Sequence, residues 1–257
     1  MSIRWIFFVS ILGLVVQTAR AEDVVRPLSN GVVVNWTKMQ IERWAGGGAV
    51  GVGAKQGAVE QRLREQIGPL LESNVLGVHV VDSVYVADLI QDQNVGGILN
   101  GRVNNWSVNE ARYMASGRVE IMGSIDLMEF LRPWSIAQAI AAPETPAATQ
   151  YTGLVVDVQG LGLRPCVHPS IRNGRGEVLH SGNVWQSSVL KVTPALYLPD
   201  AADARVVRAG KSPLLVRAAQ ASGCTITVRD ADSLDIAVFG QSEAAGAGRV
   251  VIVTDAQ

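Results

Sequence analysis

The strongest constraint on the fold of this chain is the compartment that its first residues select. Arg4 supplies a positive start, residues 5–16 an apolar run, and Ala19-Arg20-Ala21 a small-x-small site, the three parts of an export leader cleaved before Glu22. The apolar run falls short of the roughly twenty residues that a membrane-crossing helix needs. Residues 1–21 therefore read as a signal peptide, and no later stretch has the apolar length of a transmembrane segment. The mature protein is expected in the periplasm or outside the cell, where thiols oxidise. Its two cysteines, Cys166 and Cys224, are then expected to form a disulfide, which would stabilise the fold by about 4 kcal/mol on the chain-entropy model. No Cys lies near the cleavage site, so a lipidated amino terminus is not expected.

Patterning divides the rest in two. Residues 32–44 alternate apolar and polar side chains like a half-buried strand, and the glycine-rich stretch from Gly46 breaks the pattern. Val59, Leu63, Ile67, Leu70 and Leu71 recur at spacings of three and four, which predicts an amphipathic helix over 54–76 that Pro69 ends, kinks or restarts. Residues 78–81 and 84–86 read as extended, those from Ile98 through Trp106 as paired strands, and 118–127 as a clear strand. Residues 141–150, with Pro143 and Pro146 among small residues, read as a semi-rigid linker. The expected layout is α+β: a domain over 22–140 and another over 151–257, each a mixed or antiparallel sheet covered by one or two helices. In the second, 151–158, 204–207, 214–218, 225–228 and 249–254 read as strands. Asn173-Gly174-Arg175-Gly176 reads as a hairpin turn. Asp230 and Asp232 can cap a helix over 233–239, with a strand there as the alternative.

The near balance of 22 Lys and Arg against 23 Asp and Glu argues against nucleic acid, which is held mainly by neutralising phosphate. Glycines 46, 48 and 51 match the bare spacing of a dinucleotide loop, but no acidic residue closes a second strand at the required distance. Lys55 lacks the neighbours of a phosphate loop, and no Gly-x-Ser-x-Gly elbow occurs. His79, His168 and His180 are not at zinc-site spacings. No catalytic set, cofactor site or metal site is expected, and the chain reads as a non-enzyme. The rival reading is a secreted enzyme assembled from Asp157, His168 and His180, and a third is a carrier of a small apolar ligand. Trp106, Trp134 and Trp185 are the interface candidates, because Trp is enriched at binding hot spots.

Val34-Asn35-Trp36, the glycine break, the helix and the strand over 118–127 resemble the twenty-kilodalton outer-membrane lipoprotein family and the amino-terminal region of flagellar assembly protein T. The resemblance covers roughly the first half. In the second half, residues 151–157, 160–165 and 249–254 resemble a module found in exported bacterial proteins of this kind. The resemblance implies an envelope protein that acts through protein–protein contacts, with flagellar basal-body or other outer-membrane components as expected partners.

Overall fold

The computed structural model describes residues 22–48, 55–182, 185–188 and 192–256. The expected signal peptide and Gly51 of the glycine motif lie outside them. The architecture is α+β, and no helix among the described residues is long and apolar enough to cross a membrane.

The amino-terminal half runs β1 (Val25–Pro27), β2 (Val33–Asn35), β3 (Gln40–Gly47), α1 (Gln56–Val75), β4 (His79–Val81), β5 (Val84–Tyr85), α2 (Val86–Ile90), α3 (Gly96–Asn100), β6 (Ser107–Tyr113), β7 (Val119–Asp126) and α4 (Leu127–Gln138). Five strands form one antiparallel sheet in the order β1-β2-β3-β7-β6. The single strand expected over 32–44 is a hairpin. The Asn35 side chain accepts the Lys38 amide at 3.1 Å, and Met39 takes φ +53°. The chain thus reverses without glycine or proline, while the alternation continues on both sides of the turn.

Helix α1 buries Val59, Leu63, Ile67 and Leu71 against β3 and β7. Gly123 admits this close approach, because a Cβ there would lie 2.5 Å from Ile67. Pro69 neither ends nor restarts the helix, which continues to Val75. Pro69 and Glu65 are both exposed, so the carbonyl deprived of its intrahelical donor can be hydrated. The strand expected from Ile98 is α3 instead. The Asp92 carboxylate accepts the amides of Asn94 and Val95 at 2.7 and 3.3 Å and thereby sets up that helix.

The carboxy-terminal half runs β8 (Leu154–Asp157), β9 (Ser170–Arg172), β10 (Val178–Ser181), β11 (Leu196–Leu198), β12 (Leu214–Arg217), β13 (Gln220–Ser222), β14 (Thr225–Thr227), α5 (Ser233–Gly240), α6 (Glu243–Gly246) and β15 (Val250–Val253). One sheet, β11-β15-β8-β12, is wholly parallel, and the other, β10-β9-β14-β13, is mixed. Parallel strands are covered on both faces, and the burial follows: Leu154, Val156, Val250 and Ile252 join the main core, whereas Val155, Val251 and Val253 join a second cluster with Leu198 and Ala209.

The strand expected over 204–207 is a 3-10 turn, Ala204–Ala209, that lies against this second cluster. The Asp203 carboxylate accepts the Arg205 amide at 2.8 Å, and Gly210 at φ +82° ends the turn. The hairpin at Asn173–Gly176 forms as its sequence predicts, with the Asn173 side chain accepting the amides of Arg175 and Glu177. Asp232 does not cap α5 through its side chain. It pairs with Arg229, and Asp230 accepts the Gly174 amide.

Cys166 and Cys224 form the expected disulfide, fully buried, with Cα atoms 5.8 Å apart and 58 positions separating them. The two halves share one continuous core. Thr37 donates to the Tyr197 carbonyl at 2.8 Å, Trp36 meets Tyr197 edge-on at 6.0 Å, and the amide of His168 donates to Val80 at 2.8 Å. Residues 141–150 are mostly exposed irregular chain.

Candidate interaction surface

A sheet that is not closed must end somewhere, and its last strand carries unpaired N–H and C=O groups. Among the described residues, five of the six end strands in the three sheets of four or five strands, β1, β10, β11, β12 and β13, span only three or four residues. The β1 edge also contains Pro27, which has no N–H to offer. The sixth, β6, runs for seven residues, and all but Val108 are exposed. Among the described residues it pairs only with β7, in a register that shifts between Val108 and Glu110.

The sheet face beside this edge is chemically distinct. Counting by two from buried Ile41 puts Arg43, Ala45 and Gly47 on the α1 side, so the alternate residues Glu42, Trp44 and Gly46 lie on the face away from α1. Trp44 is 38% exposed there, and the Arg112 guanidinium stacks 4.4 Å from its ring centroid. Arg112 also pairs with Glu110 at 2.6 Å, and Arg118 with Glu120 at 2.9 Å. Trp44, Ala45, Gly46, Arg112, Arg118 and Glu120 bound an open cleft of about 410 Å³. On the helix side, the Tyr113 hydroxyl donates to Glu60 on α1. This bond lowers the Glu60 carboxyl pKa and raises that of the phenol. Main-chain groups open to strand addition and a cleft able to select a partner side chain thus lie at one margin of the sheet.

Of the tryptophans singled out by sequence, Trp134 and Trp185 are in the core at 8% and 6% exposure. Trp134 packs edge-on against His168 at 4.9 Å. Trp185 covers Gly246 so closely that a Cβ there would come within 2.1 Å of its ring. Neither is presented to a partner in this conformation. Trp106 is half-buried over Gly68 and lines a small cleft with Ser124, Asp126 and Phe130. Trp44 was missed, although its two-residue spacing from Glu42 marks it as outward-facing once Ile41 is known to be buried.

Asp157, His168 and His180 occupy three separate environments. Asp157 pairs with Arg217 on the neighbouring strand. His180 packs on Phe239, and its ring makes no hydrogen bond to a described residue. His168 donates from Nδ1 to the Gly182 carbonyl at 2.9 Å, leaving Nε2 to accept from Ser135 at 3.3 Å. Burial pushes the pKa of both histidines down to about 4. The Ser135–His168 contact joins a nucleophile type to a base type, but both residues are buried, at 3% and 2% exposure. Among the described residues no cluster of three or more His, Cys, Asp or Glu could hold a metal. Gly46 and Gly47 belong to β3 rather than to a phosphate-binding turn.

A family model for the second domain of Treponema pallidum Tp0624 matches residues 153–256, so this chain is similar to that domain from just before β8 to beyond β15. No curated protein matches the chain.

Proposed function

We propose that this is an exported, non-catalytic envelope protein that works by binding other proteins, with the β6 edge and the Trp44–Arg112 face as its contact surface. The observation that carries the reading is the seven-residue edge, unpartnered among the described residues, beside a half-exposed tryptophan. Backbone groups along such an edge would supply affinity, and the cleft around Trp44 would select a partner side chain. Export is supported by the disulfide, which persists where thiols are not kept reduced, and by the leader-like sequence of residues 1–21. The periplasm is the compartment proposed. Flagellar basal-body or other outer-membrane components are the proposed partners, on the strength of the sequence resemblance.

The test is an affinity pull-down of the mature protein from its native envelope fraction, run beside Ala111→Lys, which adds a charge of the kind that blunts strand pairing, and Trp44→Ala. Wild type is expected to recover envelope proteins that both variants lose while keeping wild-type melting curves. Equal recovery by all three would overturn this assignment of the surface. Turnover of a defined substrate by the purified protein would overturn the non-catalytic reading.

A further inference from the structure

A second concavity, distant in character from the sheet edge, lies where the two halves meet. It has a volume of about 230 Å³ and is open on one side. Val34 on β2 and Trp36 just beyond it form one wall, and Leu163 and Pro165, just ahead of the disulfide, form the other. All four are buried, so the walls are apolar and held by the shared core. His79 and Tyr85, stacked with ring centroids 5.1 Å apart, close one end.

Arg26 and Arg164 line the concavity, and among the described residues no Asp or Glu does. Arg26 donates to the carbonyls of Asp255 and Ala256 at 2.8 and 2.7 Å, and the nearby Asp255 carboxylate offsets part of its charge, which leaves Arg164 as the rim cation. Arg164 is exposed and forms no side-chain hydrogen bond or salt bridge with a described residue. A half-apolar recess with arginine at its rim and no carboxylate in its lining is complementary to a molecule with an apolar body and an anionic head.

We infer that this junction is a binding site for a small amphipathic organic anion, such as a medium-chain or aromatic carboxylate. The apolar body lies between Trp36 and Leu163, and the carboxylate meets Arg164. The volume, about that of eight liquid waters, limits the ligand to fragment size and excludes a long-chain lipid. Because the walls come from both halves, occupancy bridges them and stabilises the whole chain against unfolding. This inference is independent of the sheet-edge reading, since it uses none of its residues.

The experiment is calorimetric titration of the intact mature protein with octanoate, octylammonium and octanol, repeated on Arg164→Gln and on Arg175→Gln. Arg175 is an exposed arginine on the distant hairpin, 74% exposed at its side chain. Octanoate is expected to bind with one-to-one stoichiometry and to shift the amide NMR signals of Leu28, Gly77 and Leu163. Octylammonium is expected not to bind. Arg164→Gln should weaken octanoate about tenfold, the effect of losing a charge-assisted hydrogen bond, and Arg175→Gln should change nothing. Arg164 is exposed, so its replacement leaves the fold intact, and an unchanged melting temperature of the ligand-free variant checks this. The inference is overturned if octanoate does not bind, if octylammonium binds as well, or if Arg164→Gln binds like wild type.

Discussion

The two halves of this chain handle their sheets in opposite ways. In the amino-terminal half, one face of an antiparallel sheet lies under α1, the other meets solvent, and β6 leaves one margin unpaired. In the carboxy-terminal half, β8 and β15 are buried on both faces, the end strands are short, and a disulfide ties β9 and β14 together from their leading segments. The comparison teaches where recognition can reside. Strands covered on both faces have nothing left to offer a partner, whereas a sheet with one wet face and a free margin does. The core is continuous across the halves, so the two pack directly against each other.

The largest effect should come from removing the cross-link. Replacing both cysteines, Cys166→Ala with Cys224→Ala, is expected to cost about 4 kcal/mol in urea denaturation, consistent with closure of a 58-residue loop. Next is Ile252→Ala, in the centre of the parallel sheet at 0% exposure. It should cost about 3 kcal/mol from lost burial and the cavity left behind.

Acid should then act selectively on the carboxy-terminal half. The pKa values of His168 and His180 are lowered by burial from 6.5 to about 4. The unfolded chain therefore takes up protons that the folded chain refuses, and stability is full above about pH 6.5 and falls as pH drops toward 4. His180→Leu should reduce the stability lost between pH 7 and 4.5 by about 2 kcal/mol relative to wild type, as read from denaturation midpoints at the two pH values. Smallest is Arg112→Ala on the open face. Losing its stacking on Trp44 should cost only about 0.5 kcal/mol, while partner recovery falls. A large loss of stability there would make β6 structural and erase the contrast between the halves.

What could be read from sequence follows the same division between local and long-range information. The α1 stripe, β7, β15 and the Asn173–Gly176 turn each declare themselves within a dozen or so residues through period or turn chemistry. The cysteine pairing was legible because only two thiols exist. Strand order was not, since nothing local tells β8 that its neighbours are β15 and β12. The turn at residues 36–39 was hidden because an asparagine side chain does the work usually flagged by glycine. The segment over 204–207 has β-prone valines, but Asp203 and Gly210 set it as a 3-10 turn. The interaction surface was the least legible part. Which tryptophan faces solvent depends on packing between distant elements, and the edge status of β6 exists only once the whole sheet is assembled.

The central claim is that β6 contacts a partner and the stapled half does not. The most direct measurement places a photo-crosslinking amino acid at Arg112 or, separately, at Arg175 on the carboxy-terminal hairpin, and irradiates cells producing each full-length chain. The account predicts a discrete adduct with an envelope protein from position 112 and none from position 175. An adduct from 175 with none from 112 would contradict it and move the contact surface to the other half.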